Sequence, residues 1–167
     1  MESGALIRDA EPQDSAAIAT LITAAFTDAP HAGGNEAQIV AALRAAGALT
    51  LSLVAERGGA LVGHIAASPA TVEGRAGWFC IAPVSVAPDQ QGQGIGAALI
   101  IAALDWLRAA EAKGAVLVGD PGYYRRFGFT PRPGLTAEGI PAPYLQALEF
   151  GADLATGAVS FHPAFSR

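Results

Sequence analysis

Between Val84 and Leu99 the chain reads VSVAPDQQGQGIGAAL: an alternating apolar run, a polar turn carrying Gly92, Gly94 and Gly96, then a long helical pattern. Each glycine costs roughly 0.5–1 kcal/mol in backbone entropy, so three of them at a helix start imply that something approaches that backbone closely. The first N–H groups of a helix have no partners within it and sit at the positive end of its dipole. Strand, glycine turn, helix is therefore a geometry that binds phosphate. Glycine at 94 and 96 removes the side chains that would bar a diphosphate from those donors. Such a cradle needs no lysine, and Lys113 is the only one in the chain. An ordinary tight strand-to-helix turn is the plainer reading of the same spelling.

Two familiar phosphate loops fail by spelling. The Walker loop GxxxxGK[ST] needs a lysine that does not follow these glycines. The dinucleotide fingerprint GxGxxG would need glycine at Ala97 if begun at Gly92, or at Leu99 if begun at Gly94. The pattern QxxGxG does fit, as Gln91, Gly94 and Gly96 directly after Val-x-Val and Ala-Pro. A second stretch, GDPGYYRRFGF from Gly119 to Phe129, places Tyr124 four residues before Gly128. Together these resemble the [RQ]xxGx[GA] acyl-coenzyme A loop and the Y-x-x-x-GF motif of the GCN5-related N-acetyltransferase (GNAT) superfamily. The DP-x-YYxRFGF spelling and the late FHPAF are similar to its YhbS-like branch of predicted acetyltransferases.

The resemblance implies acetyl-CoA lying between two splayed parallel strands of a mixed α/β sheet flanked by helices. Its expected contacts are Val84, Ser85 and Val86 on the strand, Gln91, Gly92, Gln93, Gly94, Ile95, Gly96 and Ala97 in the loop, and Asp120, Tyr123, Tyr124, Arg126 and Phe127 around a short helix. Pro83 and Pro88 bracket Val84–Val86 and cannot donate ladder bonds, which supplies a splay. The backbone groups of Val84 and Val86 are then free to pair with an amide-bearing pantetheine arm as if it were an added strand. The family often has basic residues where this loop has Gln90, Gln91 and Gln93, so Arg125 or Arg126 is expected to supply positive charge.

The activity implied is transfer of an acetyl group to a primary amine by direct attack. The amine must be neutral, the carbonyl polarised and the departing thiolate protonated. Tyr124 is the family-matched general acid, since a phenol of pKa ≈ 10 stays protonated at neutral pH. The carbonyl takes the N–H of Val86 or Val84. For a general base, the strand from Trp78 to Val86 offers no carboxylate, and Ser85 and Cys80 are poor bases. His64, Glu73 and Glu149 remain candidates, with water as relay. A small-molecule amine, a protein N-terminus or a lysine would serve as acceptor. Its walls are expected in the Thr27–Asn35 loop with Asp28, His31 and Glu36, and in Tyr144–Phe150. Such folds commonly pair, so a homodimer is possible. The alternative is a non-catalytic acyl-CoA-binding or interaction module of the same fold.

The elements that must position these residues follow from periodicity. Strands are expected at Ala5–Arg8, Leu49–Glu56, Leu61–Ser68, Trp78–Val86, Val116–Gly119, Leu145–Phe150 and Ala158–His162. Helices are expected from an Asp14 cap to about Phe26, through Ile39, Val40 and Leu43 to a stop at Gly47, over Gly94–Lys113, and over Tyr123–Phe127. Turn signals stand at Arg57–Gly59 and Glu73–Gly77. With no repeat and no linker, residues 1–167 read as one domain.

Composition sets outer bounds. Hydrophobic residues are 51% and charged ones 15%, enough apolar surface for a substantial core. A net charge of −5 argues against a sequence-independent grip on nucleic acid. Cys80 is alone, which excludes an internal disulfide. His31, His64 and His162 are scattered without metal-ligand spacing, and no GxSxG elbow is present. The start lacks a cationic stretch followed by an apolar one, and the longest apolar run, Ile95–Leu104, falls short of the ~18 residues of a membrane span. A soluble, cytoplasmic protein is expected.

Overall fold

A computed structural model of the chain describes residues 4–27, 34–152 and 155–166. The order is β1 (Leu6–Asp9), α1 (Ser15–Phe26), α2 (Glu36–Ala45), β2 (Leu51–Arg57), β3 (Ala60–Val72), β4 (Arg75–Val86), α3 (Ile95–Ala109), β5 (Gly114–Val118), α4 (Pro121–Tyr124), β6 (Thr130–Pro131), β7 (Leu135–Thr136), β8 (Leu145–Glu149) and β9 (Gly157–Ser160). The strands lie side by side as β1-β2-β3-β4-β5-β8-β6, with β9 pairing both β3 and β7. Neighbours are antiparallel except β4 with β5 and β7 with β9. This is the expected mixed α/β sheet, with helices on both faces.

The helices sit where their apolar residues demand. Ile95, Leu99, Ile100, Ala103, Leu104 and Leu107 recur at helical spacing and bury α3 against Leu53, Ile65, Ile81 and Leu117 of the sheet. On the opposite face Ile18, Ile22 and Val40 close over Val54 of β2. Beyond them a third cluster joins Trp78, Cys80 and Val116 to Leu135, Leu145 and Val159 of the later strands.

Several boundaries differ from the sequence expectation for identifiable reasons. Asp14 does not cap α1 through its side chain. Its carboxylate accepts the Glu11 N–H at 2.7 Å and pairs with Arg8 at 2.8 Å, and the Arg8 hydrogen bond holds it down to about 2. The β3–β4 connection tightens to Glu73–Gly74, both at positive φ, so the two strands extend to Val72 and from Arg75. Pro69 is tolerated inside β3 because its outer flank is open there: β2 pairs as far as Ala67 and β9 begins at Thr71. Helix α3 stops at Ala109, where Glu111 turns the chain at φ +63°, and Lys113 N–H donates to Gly77 to start β5. The short pairs β6 and β7 carry no periodic signal and were not expected.

Gly114 is where β5 locks onto its neighbours. A Cβ there would lie 2.4 Å from the Leu148 carbonyl oxygen and 2.6 Å from the Trp78 ring. Gly114→Ala is expected to destabilise the protein by about 1–3 kcal/mol through overpacking. A urea unfolding midpoint lowered at unchanged m-value would register it.

Candidate active site

Strands β4 and β5 pair for three residues each, Trp78–Cys80 against Gly114–Val116. Past Cys80 they part. Pro83 has no N–H to give, and the β3 register slips between Ile65 and Ala67, opposite Ala82–Pro83, which bends β4 away. Ala87 N–H donates to Val62 of β3, so by alternation the backbone groups of Val86 and Val84 face the other flank, where β4 has no partner strand. The Val86 carbonyl accepts the Gln91 amide at 3.2 Å.

The gap holds a cavity of about 280 Å³ lined by Ile81 to Val84, Val118 and Tyr124, and closed by Phe26, Glu36, Ile39 and Phe165. A second cavity of about 280 Å³ lies at its α3 end, between Val86, Tyr123, Arg126 and loop residues 90–92 and 94–97. Among the described residues, the backbone N–H groups of 92–97 find no acceptor within the chain; the first helical bond runs from Ala98 to Gly94. Gly94 is in the left-handed region at φ +84°. Gly96 is not, and a Cβ on it would meet only Val86 at 3.5 Å and the Tyr123 hydroxyl at 3.6 Å. The protein itself would tolerate a methyl group there; the space that methyl would fill is the cradle.

Tyr124 projects into the gap from α4. Its ring lies against Gly119, where a Cβ would approach Cε2 to 2.5 Å. Tyr123 and Phe129 meet it edge-on at 5.0 and 6.2 Å. Burial, with the neighbouring Tyr123 and Asp120, pushes its phenol up to about 12. Backbone amides without an acceptor at one end, an open strand edge in the middle and a protonated phenol beside it follow one another along the parting of β4 and β5.

A profile of the Acetyltransferase (GNAT) family matches residues 16–129. The chain belongs to the GNAT acetyltransferase family. It is 39% identical over 127 residues to the uncharacterized N-acetyltransferase YhbS of Escherichia coli K12, covering 74% of this chain and 72% of that protein. A GNAT family acetyltransferase from Brucella melitensis, solved in complex with acetyl-CoA, superposes with TM-score 0.87 at 47% identity, over 98% of this chain and 99% of its own. YhbS from E. coli, solved in complex with CoA, gives 0.89 at 33%, over 98% and 92%. The expectation of an acetyl-CoA-dependent GNAT N-acetyltransferase, with a YhbS-like character, is met at the level of family and relatives.

The GNAT frame brings most of the expected site residues together, but not all by their side chains. Val84 lines the gap, and Val86 and Gln91 line the cradle. Ile95 contributes backbone only, since its side chain is buried under the sheet. Ser85 is buried on the opposite face across from His64. Gln93 turns outward to accept from Arg57, as does Gln90, at 2.8 and 2.6 Å. The Asp120 carboxylate caps α4 by accepting the Gly122 N–H. Phe127 packs on Tyr123 at 5.6 Å and lines neither cavity. Arg126 lies 4.4 Å above the Tyr123 ring and reaches the cradle, while Arg125 does not.

None of the three base candidates reaches the gap. His64 is buried, bonded to Ser52 Oγ at 2.9 Å, and lowered to about 4 by burial. Glu73 sits at the far end of the sheet, accepting the Ala158 N–H. Glu149 pairs with Arg132, which holds its carboxyl below the usual range against the opposing effect of burial. On the acceptor side, Glu36 is at the gap, but the C-terminal Phe165 takes the place expected of Tyr144–Phe150, because β8 is consumed in pairing β5 and β6. Asp28 and His31 lie outside the described residues. Arg57 carried no motif; only the β2–β3 turn brings it to the loop. Among the described residues no helix is long and apolar enough to cross a membrane, and no cluster of ligating side chains is placed to hold a metal ion.

The two loop glycines separate by experiment. Gly94→Ala is expected to lose about 1–2 kcal/mol from a left-handed alanine. Gly96→Ala should melt at or above the parent temperature, because alanine is the better helix former. Thermal unfolding of both variants without ligand checks this.

Proposed function

We propose that this GNAT protein transfers the acetyl group of acetyl-CoA to a primary amine in the gap between β4 and β5, with Tyr124 as general acid. The observation that carries the reading is the succession, along the β4 edge that has no partner strand, of a cavity holding Val84 and Tyr124 and a second holding Val86 and the loop amides. The residues present fit the coenzyme: the amides of 92–97 suit a diphosphate, Arg126 adds charge beside them, and the edge of β4 suits an amide-bearing arm.

Acetyl-CoA, when bound, supplies a thioester carbonyl for an amine to attack and a sulfur that must leave as thiol. The N–H of Val84 or Val86, facing the open flank, donates to the carbonyl oxygen and stabilises the charge that grows on it. Tyr124 Oη donates its proton to the departing sulfur, and the proton that the attacking nitrogen loses as the amide forms passes through water back to the phenolate. With a pKa near 12 the phenol carries that proton across the whole neutral range. Glu36, lining the same cavity, gives an incoming ammonium group a counter-charge. Cys80 is not a nucleophile here, because burial pushes its thiol up to about 12; attack is direct, without an acyl-enzyme.

Tyr124→Phe should lower kcat about 100-fold while the acetyl-CoA dissociation constant stays within twofold. Thiol release and calorimetry measure the two. Gly96→Val, which fills the cradle, should abolish acetyl-CoA binding while the fold survives; normal binding would overturn the site. Acetyl-CoA binding without thiol release on any amine would leave the non-catalytic module.

The pH profile follows from the phenol. A folded pKa raised to about 12 keeps the acid protonated at every lower pH. kcat/KM is therefore expected to rise as the amine deprotonates and to show no descending limb from Tyr124 between pH 7 and 10. A falling limb in that interval that Tyr124→Phe removes would contradict it.

A further inference from the structure

On the α1–α2 face of the sheet a cavity of about 710 Å³ opens beside the reaction gap. Ala82, Val118 and Phe165 belong to the walls of both, so the two spaces meet where β4 and β5 part. Its far walls come from the C-terminal third of the chain. Phe161 and Phe165 stand 6.1 Å apart between ring centres, and Ile140 faces the same space. Among the described residues that line it, the charged one is Glu138. The gap adds a second carboxylate, Glu36. Neither space has a basic residue on its described walls.

We infer that the acceptor is a primary amine on an uncharged apolar or aromatic body, with the amine in the gap and the body in this cavity against Phe161 and Phe165. The inference rests on the transferase reading above and names its substrate class. Volume argues for it: pockets of 300–1,000 Å³ bury most of a drug-sized ligand, whereas a short aliphatic amine would leave the space largely empty. Charge argues for it as well. Glu138 on the wall of the larger cavity favours an occupant that carries a cationic group over an anionic one, so an anionic amino acid is a poor occupant. Facing Ile140, Phe161 and Phe165, an apolar body removes more hydrophobic surface from water than a polyamine chain, which has Glu138 alone on the described walls to meet its charges.

The test uses the full chain with CoA bound and 4-phenylbutylamine as probe. Saturation-transfer NMR reads binding directly, independent of turnover, and thiol release reads KM. The probe should bind at least tenfold more tightly than 4-phenylbutyrate, which keeps the ring and reverses the charge. It should also be acetylated with a lower KM than spermidine or an alanyl peptide. Phe161→Ala and Glu138→Lys should each raise its KM about tenfold, with the acetyl-CoA dissociation constant within twofold and the melting temperature close to the parent. Equal binding of the acid and the amine, a lower KM for spermidine or peptide, or an unchanged KM in both variants would overturn the inference. Failure of the parent protein to bind acetyl-CoA would instead defeat the transferase reading, and the probe's NMR signal would still report on the cavity.

Discussion

The proposed site depends on two parallel strands ceasing to pair. A buried backbone group without a partner is costly, so a sheet does not open in its middle unless the opening is held. Here each wall is tied from behind: β4 to β3 as far as Val86, and β5 to β8 as far as Val118. Proline at 83 withdraws one donor, and the slip opposite it turns the strand. Below the opening the strands are clamped by the fit of Gly114 between Trp78 and Leu148. The result is a fixed slot along one side of which β4 has no partner strand, its Val86 carbonyl being taken by the Gln91 amide.

The slot is finished electrostatically with few charges. In the proposed reading, backbone amides at the start of α3 take the role that lysines play elsewhere. The guanidinium groups nearby are fastened, Arg57 by Gln90 and Gln93 and Arg126 by the Tyr123 carbonyl and ring. Tyr124 is held on three sides by Gly119, Tyr123 and Phe129, so the same packing that fixes its direction also raises its pKa.

What the sequence made legible was local. Gln91, Gly94 and Gly96 fall on a strand–turn–helix junction whose geometry follows from neighbours in the chain, and Tyr124 stands one short turn from the end of β5. The helices were readable because Ile18, Ile22 and Leu99 recur at helical spacing. What escaped depends on partners far along the chain. Nothing near Glu73 announces that β9 returns to pair with β3 only at Thr71 and Val72, which leaves the flank beside Pro69 open. His64, Glu73 and Glu149 are ordinary titratable residues until tertiary structure commits them to Ser52, Ala158 and Arg132. Glu138 lies in a segment without periodicity, and the strand expected at Ala158–His162 did not announce what Phe161 would face, so their shared cavity had no signature.

The molecule divides its labour by position in the chain. The cradle, the open edge and Tyr124 all fall between Val84 and Tyr124, inside the stretch that matches the family. The larger cavity draws Ile140, Phe161 and Phe165 from beyond Phe129. Substitutions in the final third of this polypeptide can therefore reshape the larger cavity while leaving every side chain that lines the amide cradle in place.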